Sequence, residues 1–144
     1  FCIIQNTDYE AFGPYVQRYM ERCLAYGIQP GFFSPKSAAD SSHYFVQPKF
    51  YERDRPFFKK YMPLCRIVSE AGWRPINRLM PDAANADISA EQFGDRYVTL
   101  FNHSTSKTCE VALPRKTREL VTESAMEGVV ILEPETCRVI DFGE

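Results

Sequence analysis

The hydrophobic period of this chain changes at Trp73, and the change divides what can fold on either side of it. From Tyr51 to Trp73, YERDRPFFKKYMPLCRIVSEAGW places Phe57, Phe58, Tyr61, Met62, Leu64, Cys65, Val68 and Ala71 at roughly helical spacing, with Lys59, Lys60, Arg66 and Glu70 largely between them. Asp54 suits the N-cap of that helix, Pro56 its first turn, and Gly72 its end, with Pro75 preventing continuation. Pro63 lies inside and predicts a kink or a break into two pieces. Beyond Trp73 the period is two. Tyr97–Asn102, Thr108–Leu113, Arg118–Val121, Gly128–Leu132 and Cys137–Phe142 are short strands beginning about ten residues apart, the spacing of an antiparallel meander or sandwich.

Ahead of the pivot helix, Phe1–Ile4 is a short apolar run suited to a strand covered on both faces. From about Ala11 to Tyr26 the apolar positions Val16, Tyr19, Met20, Cys23 and Leu24 follow helical spacing, and Gln17, Arg18, Glu21 and Arg22 are expected opposite them. Gly27 ends this helix, and Ile28–Phe33 predicts a second strand interrupted by Pro30 and Gly31. Strand, helix and strand within some thirty residues form a βαβ unit with parallel strands. Residues 34–49 form a long polar loop around Ser41, Ser42, His43 and Tyr44, of the kind that carries function in α/β proteins. The fold class is therefore α+β. Residues 1–75 form a βαβ-α segment, 76–91 a linker through Pro81 and the DAANAD stretch, and 92–144 an antiparallel β-sandwich.

A net charge of -2 over 144 residues gives no electrostatic case for nucleic acid or an anionic membrane. No run is long and apolar enough to span a bilayer. Cys2, Cys23, Cys65, Cys109 and Cys137 are widely spaced on apolar stripes and read as buried free thiols, which favours a soluble protein in a reducing, cytoplasmic setting; a single disulfide stays open, with no pair assigned. Asn102-His103-Ser104 is a glycosylation sequon. No phosphate-cradling glycine loop, dinucleotide fingerprint or metal-ligand spacing is present, so no cofactor or metal is expected. Phe1-Cys2-Ile3-Ile4 has the character of the inside of a buried strand, and predicts that the sequence is a piece of a longer protein.

Order and pattern together resemble the end of a (β/α)8-barrel glycoside hydrolase, its last two βα units followed by a C-terminal β-sandwich. RYMERCLAYGIQPGFFS and YERDRPFFKKYMPLCRIVSEAGWRPI look like helix 7, strand 8 and helix 8 of such a TIM barrel. YVTLFNHSTSKTCEVAL and LVTESAMEGVVILEPETCRVIDFG look like the closing domain of amylase-like, α-galactosidase-like and related glycosidases, with Asn102 ending a strand and Glu133-Pro134-Glu135 turning into the last one. The resemblance implies a parent that hydrolyses glycosidic bonds of an oligo- or polysaccharide with paired carboxylates, about 5 Å apart for retention or about 6.5–9.5 Å for inversion. It implies that this chain alone lacks the complete active site.

In a barrel, chemistry sits at the C-terminal ends of strands. That singles out Asp8 as the catalytic carboxylate, with Glu10 and Asp40 behind it and helix capping as its alternative role. Asn6, Phe33, His43 and Tyr44 are the substrate-binding candidates; Phe33 and Tyr44, with Phe32, either stack on sugar or pack beneath the loop. Glu52-Arg53-Asp54-Arg55 reads as capping and local ion pairs, and Trp73 as a wedge between the barrel segment and the sandwich. Two parallel strands alone leave open edges, which calls for the missing part of the barrel or for a homo-oligomer. The alternative is a standalone carbohydrate-binding or protein-interaction module built on the β-rich half, or a structural domain shielding the barrel edge.

Overall fold

A computed structural model describes residues 2–6, 9–33, 44 and 47–143, with residues 2–6, 9, 32 and 33 described by their backbone. Strands β1 (Cys2–Asn6) and β2 (Gln29–Phe33) pair in parallel, Cys2 opposite Gln29 and Asn6 opposite Phe33. The helix expected between them is divided into α1 (Tyr9–Phe12), a 3-10 turn (Gly13–Tyr15) and α2 (Val16–Ala25). Gly13-Pro14 explains the division, since Pro14 lacks the N–H that a continuous α-helix needs there. Gly27 then turns the chain with φ of +62°, a left-handed conformation that glycine adopts without strain.

Helix α3 (Pro48–Ala71) begins earlier than expected, with Pro48 in its first turn. Asp54 is therefore not its cap but a buried residue of its second turn, and Pro56 and Pro63 both lie inside a helix assigned as one continuous element. Both prolines are exposed, as are Glu52 and Lys59, whose carbonyls lose their helical partners, so water replaces the missing bonds. The predicted apolar stripe is present. Tyr61, Cys65 and Val68 are fully buried, with Phe57, Phe58, Leu64 and Ala71 beside them.

The remaining strands are β3 (Trp73–Arg74), β4 (Ile88–Phe93), β5 (Tyr97–Asn102), β6 (Cys109–Ala112), β7 (Thr117–Glu119), β8 (Ser124–Met126), β9 (Val129–Leu132) and β10 (Cys137–Asp141). They form a six-stranded sheet in the order β3-β4-β5-β10-β7-β8 and a two-stranded sheet of β6 and β9. Strand β4 begins inside the stretch read as linker, where Pro, Asp, Asn and Ala had masked its pairing with β5 over Ile88–Phe93.

The central strands β5 and β10 of the large sheet are covered on both faces. Phe93, Phe101, Cys137 and Val139 pack with α2 and α3, while Val98, Leu100 and Ile140 meet Val111, Val130 and Leu132 of the small sheet. The period of two in β5 and β10 therefore separates two cores rather than core from solvent. Cys109, Val111 and Leu113 share the inward face with Glu110 outside, as the alternation predicts. Trp73 corrects another expectation. It does not wedge between two units; it is 58% exposed at the sheet edge, where its indole Nε1–H donates to Glu91 Oε2 at 2.7 Å. The edge strand holds only two residues after Gly72, too short to carry the ring inward.

Candidate functional site at the ends of the paired strands

Parallel pairing brings the C-terminal ends of β1 and β2 side by side, with Asn6 and Phe33 as register partners. Two of the predicted substrate-binding residues thus share one end of one small sheet. Asp8, Asp40 and His43 lie outside the described residues.

Tyr44 is buried against α3. Its ring is 2% exposed, 6.3 Å from that of Phe58, and its hydroxyl donates to Asp54 Oδ2 at 2.9 Å. Asp54 also accepts from Arg53, Nε to Oδ1 at 2.6 Å and Nη2 to Oδ2 at 2.9 Å. This hydrogen-bonded pairing holds the Arg53 guanidinium further above its usual range. With both oxygens engaged, Asp54 orients its neighbours. Arg53 in turn lies against Gly13, where an added Cβ would stand 2.6 Å from its Nη1. Lys49 pairs with Glu10 at the start of α1. Glu10 and Gly13, after β1, and Tyr44 are thereby tied to the same end of α3. The sequence reading placed Glu52–Arg55 as local capping and ion pairs. Arg55 does pair with Glu52 and Arg53 with Asp54, and the latter two residues also reach beyond the helix, Asp54 to Tyr44 and Arg53 to Gly13.

A second polar centre was missed altogether. Glu21, expected on the solvent side of α2, is 2% exposed and accepts the Cys137 backbone N–H at 2.7 Å and the Tyr61 hydroxyl. Burial raises the Glu21 carboxyl above its ordinary range, against the lowering effect of those two hydrogen bonds. Burial and the Glu21 charge push the Tyr61 hydroxyl up as well. Burial raises Cys65 to about 12 and lifts Cys137 well above its usual value. These thiols are packing groups, not nucleophiles. Helical spacing alone did not show Glu21, because its partners lie 40 and 116 residues away.

Asn102, the sequon residue, is 0% exposed. Its Nδ2 donates to the carbonyls of Lys107, Leu132 and Glu133 at 2.7–3.2 Å, and its Oδ1 accepts the Ser104 N–H at 2.9 Å. It closes the turn after β5 onto the turn before β10, so it has no accessible amide for a glycan. Among the described residues, no group of three or more His, Cys, Asp or Glu side chains is placed to hold a metal, and no helix is long and apolar enough to cross a membrane.

No family profile and no curated protein sequence matches the chain. In fold it is similar to a crystal structure from Sulfolobus tokodaii described as a hypothetical maltooligosyl trehalose synthase, with a TM-score of 0.52 and 7% identity, over 88% of this chain and 20% of that one. A β-galactosidase from Bacillus circulans sp. alkalophilus is also similar, with a TM-score of 0.33 and 16% identity, over 55% of this chain and 11% of that one. The chain spans about one-fifth of the length of the first structure. At that identity the likeness is one of fold alone.

Proposed function

We propose that this chain is the closing part of a carbohydrate-active (β/α)8-barrel enzyme of the glycoside hydrolase type. The observation that carries the reading is the order of its elements. A parallel strand, a helix, a parallel neighbour and a long helix are followed by an antiparallel sheet that packs back on both helices. The likeness in fold over 88% of the chain to a much longer structure, named for a maltooligosyl product, supports that reading.

In it, the ends of β1 and β2 form one flank of a sugar site. Asp8 supplies one carboxylate, and Asn6, Phe33 and His43 bind the substrate. Tyr44, held by Asp54, positions its neighbour His43. The second carboxylate of the pair lies on another strand of the barrel, so the chain alone binds sugar weakly and does not hydrolyse it.

The test compares the pure 16.6 kDa chain with the native polypeptide isolated from its source. We expect no release of nitrophenol from aryl glycosides by the isolated chain. The native polypeptide should be much heavier, active, and inactivated by Asp8→Asn. Hydrolysis by the 16.6 kDa chain, or a native mass equal to it, overturns the reading.

A further inference from the structure

A cleft of about 340 Å³ runs along the outer flank of α2, apart from the strand ends. Tyr15 and Tyr26 stand on its rim with 53% and 42% of their surface exposed, an unusual exposure for two large rings on one helix flank. They are separated by eleven residues, or roughly 16 Å at the helical rise. Between them, one turn apart, lie Arg18 and Arg22.

Both guanidiniums turn to one carboxylate. Arg18 is in direct contact with Glu135, in the turn before β10, and Arg22 Nη2 stands 3.5 Å from the same Oε1. Two cations on one anion leave a positive charge in excess. The Arg18 Nε–H is buried without an acceptor among the described residues, and Glu135 Oε1, although it contacts both guanidiniums, accepts no aligned hydrogen bond. A buried donor of this kind is costly unless something accepts from it.

We propose that this cleft binds a short acidic oligosaccharide. Its uronate carboxylate lies on Arg18 and Arg22, and its sugar rings lie on Tyr15 and Tyr26. The charge arithmetic selects an anion, since a neutral ligand would leave the excess positive charge uncompensated. A carboxylate matches the planar fork of a guanidinium. The length of the flank selects more than one ring, and exposed tyrosines offer apolar faces with polar edges. An amphipathic helix fits less well, because its apolar face would cover two guanidiniums with only one carboxylate to balance them. The sugar class rests on the carbohydrate reading above; the requirement for negative charge does not.

The experiment is calorimetric titration of the full chain with trigalacturonate, maltotriose and inorganic phosphate, each at 50 and 500 mM salt. Trigalacturonate should bind at least tenfold tighter than maltotriose or phosphate and weaken at high salt. Arg22→Gln and Tyr26→Ala, both at exposed positions that leave the fold intact, should each weaken it about tenfold. Equal binding of maltotriose overturns the anionic site. Phosphate binding as tightly as trigalacturonate overturns the oligosaccharide, and no binding, or binding indifferent to both variants, overturns the cleft. None of these results depends on hydrolysis, so the site and the enzyme reading fail separately.

Discussion

The carboxylate of Glu21 accepts the backbone N–H of Cys137 at 2.7 Å, joining a helix of the front half to the last strand of the sheet. With the Tyr61 hydroxyl on its other oxygen, one side chain fixes α2, α3 and β10 against each other in the middle of an apolar core. Glu21→Ala strands both donors in that core and is expected to cost about 2–4 kcal/mol. Tyr61→Phe should cost about 1–3 kcal/mol. The two changes share a partner, so urea denaturation of the double variant should show less than the sum. Full additivity would mean that the two groups do not interact.

The pH dependence follows from two carboxylates with opposite shifts. Burial raises Glu21, so the folded state holds its proton more tightly than the unfolded chain. Its contribution is full below the ordinary value of 4.5 and falls as pH rises from there through its raised folded value. Asp141 is lowered by its paired bonds from Arg96, at 2.6 and 2.9 Å. Its contribution is present above 3.8 and is lost as pH falls below that value. Unfolding midpoints measured from pH 3 to pH 8 should therefore decline on both sides of a narrow maximum. Glu21→Gln should flatten the decline above 4.5, and Asp141→Asn the decline below 3.8.

Thiol reactivity should separate the cysteines by burial. Cys23, Cys65 and Cys137 are buried, and Cys109 is half-buried. Native protein treated with iodoacetamide at pH 8 and digested for mass spectrometry should be alkylated at Cys109 well before these three. They should react at comparable rates only in denaturant. Early labelling of Cys65 would contradict the core packing.

Asn102→Ala removes three donated bonds and one accepted bond, leaving the buried carbonyl of Leu132 and those of Lys107 and Glu133 with one partner fewer. A loss of about 2–4 kcal/mol is expected by denaturant titration. Expression in a glycosylating host should leave Asn102 unmodified in folded protein, read by intact mass.

Gly27→Ala places a Cβ 2.6 Å from the Phe93 ring at a residue with φ of +62°. Backbone strain of about 1–2 kcal/mol adds to overpacking of about 1–3 kcal/mol. The thermal midpoint should fall by many degrees. A neutral result would show that α2 and β4 do not approach each other at this turn.

Local pattern determined much of the architecture. The spacing of Tyr61, Cys65 and Val68 defined the pivot helix, and the alternation from Tyr97 to Asp141 marked five of the strands beside their turns, missing Ser124–Met126. It also placed Asn6 and Phe33 at the ends of neighbouring parallel strands, because short apolar runs around a helix leave few other arrangements. What pattern could not show was which polar residues turn inward. Glu21 and Asp54 sit among charged neighbours on their helices, and Asn102 ends a strand in a sequence of surface character. Only the folded chain brings Cys137 and Tyr61 to the first, Tyr44 to the second and two distant turns to the third. Proline followed the same logic in reverse. Pro56 and Pro63 forecast a boundary and a kink, yet α3 runs through both, because the carbonyls they orphan face water. Periodicity reports which face a regular element buries. Desolvation makes a buried polar group depend on partners far away in sequence, so tertiary structure alone decided those positions.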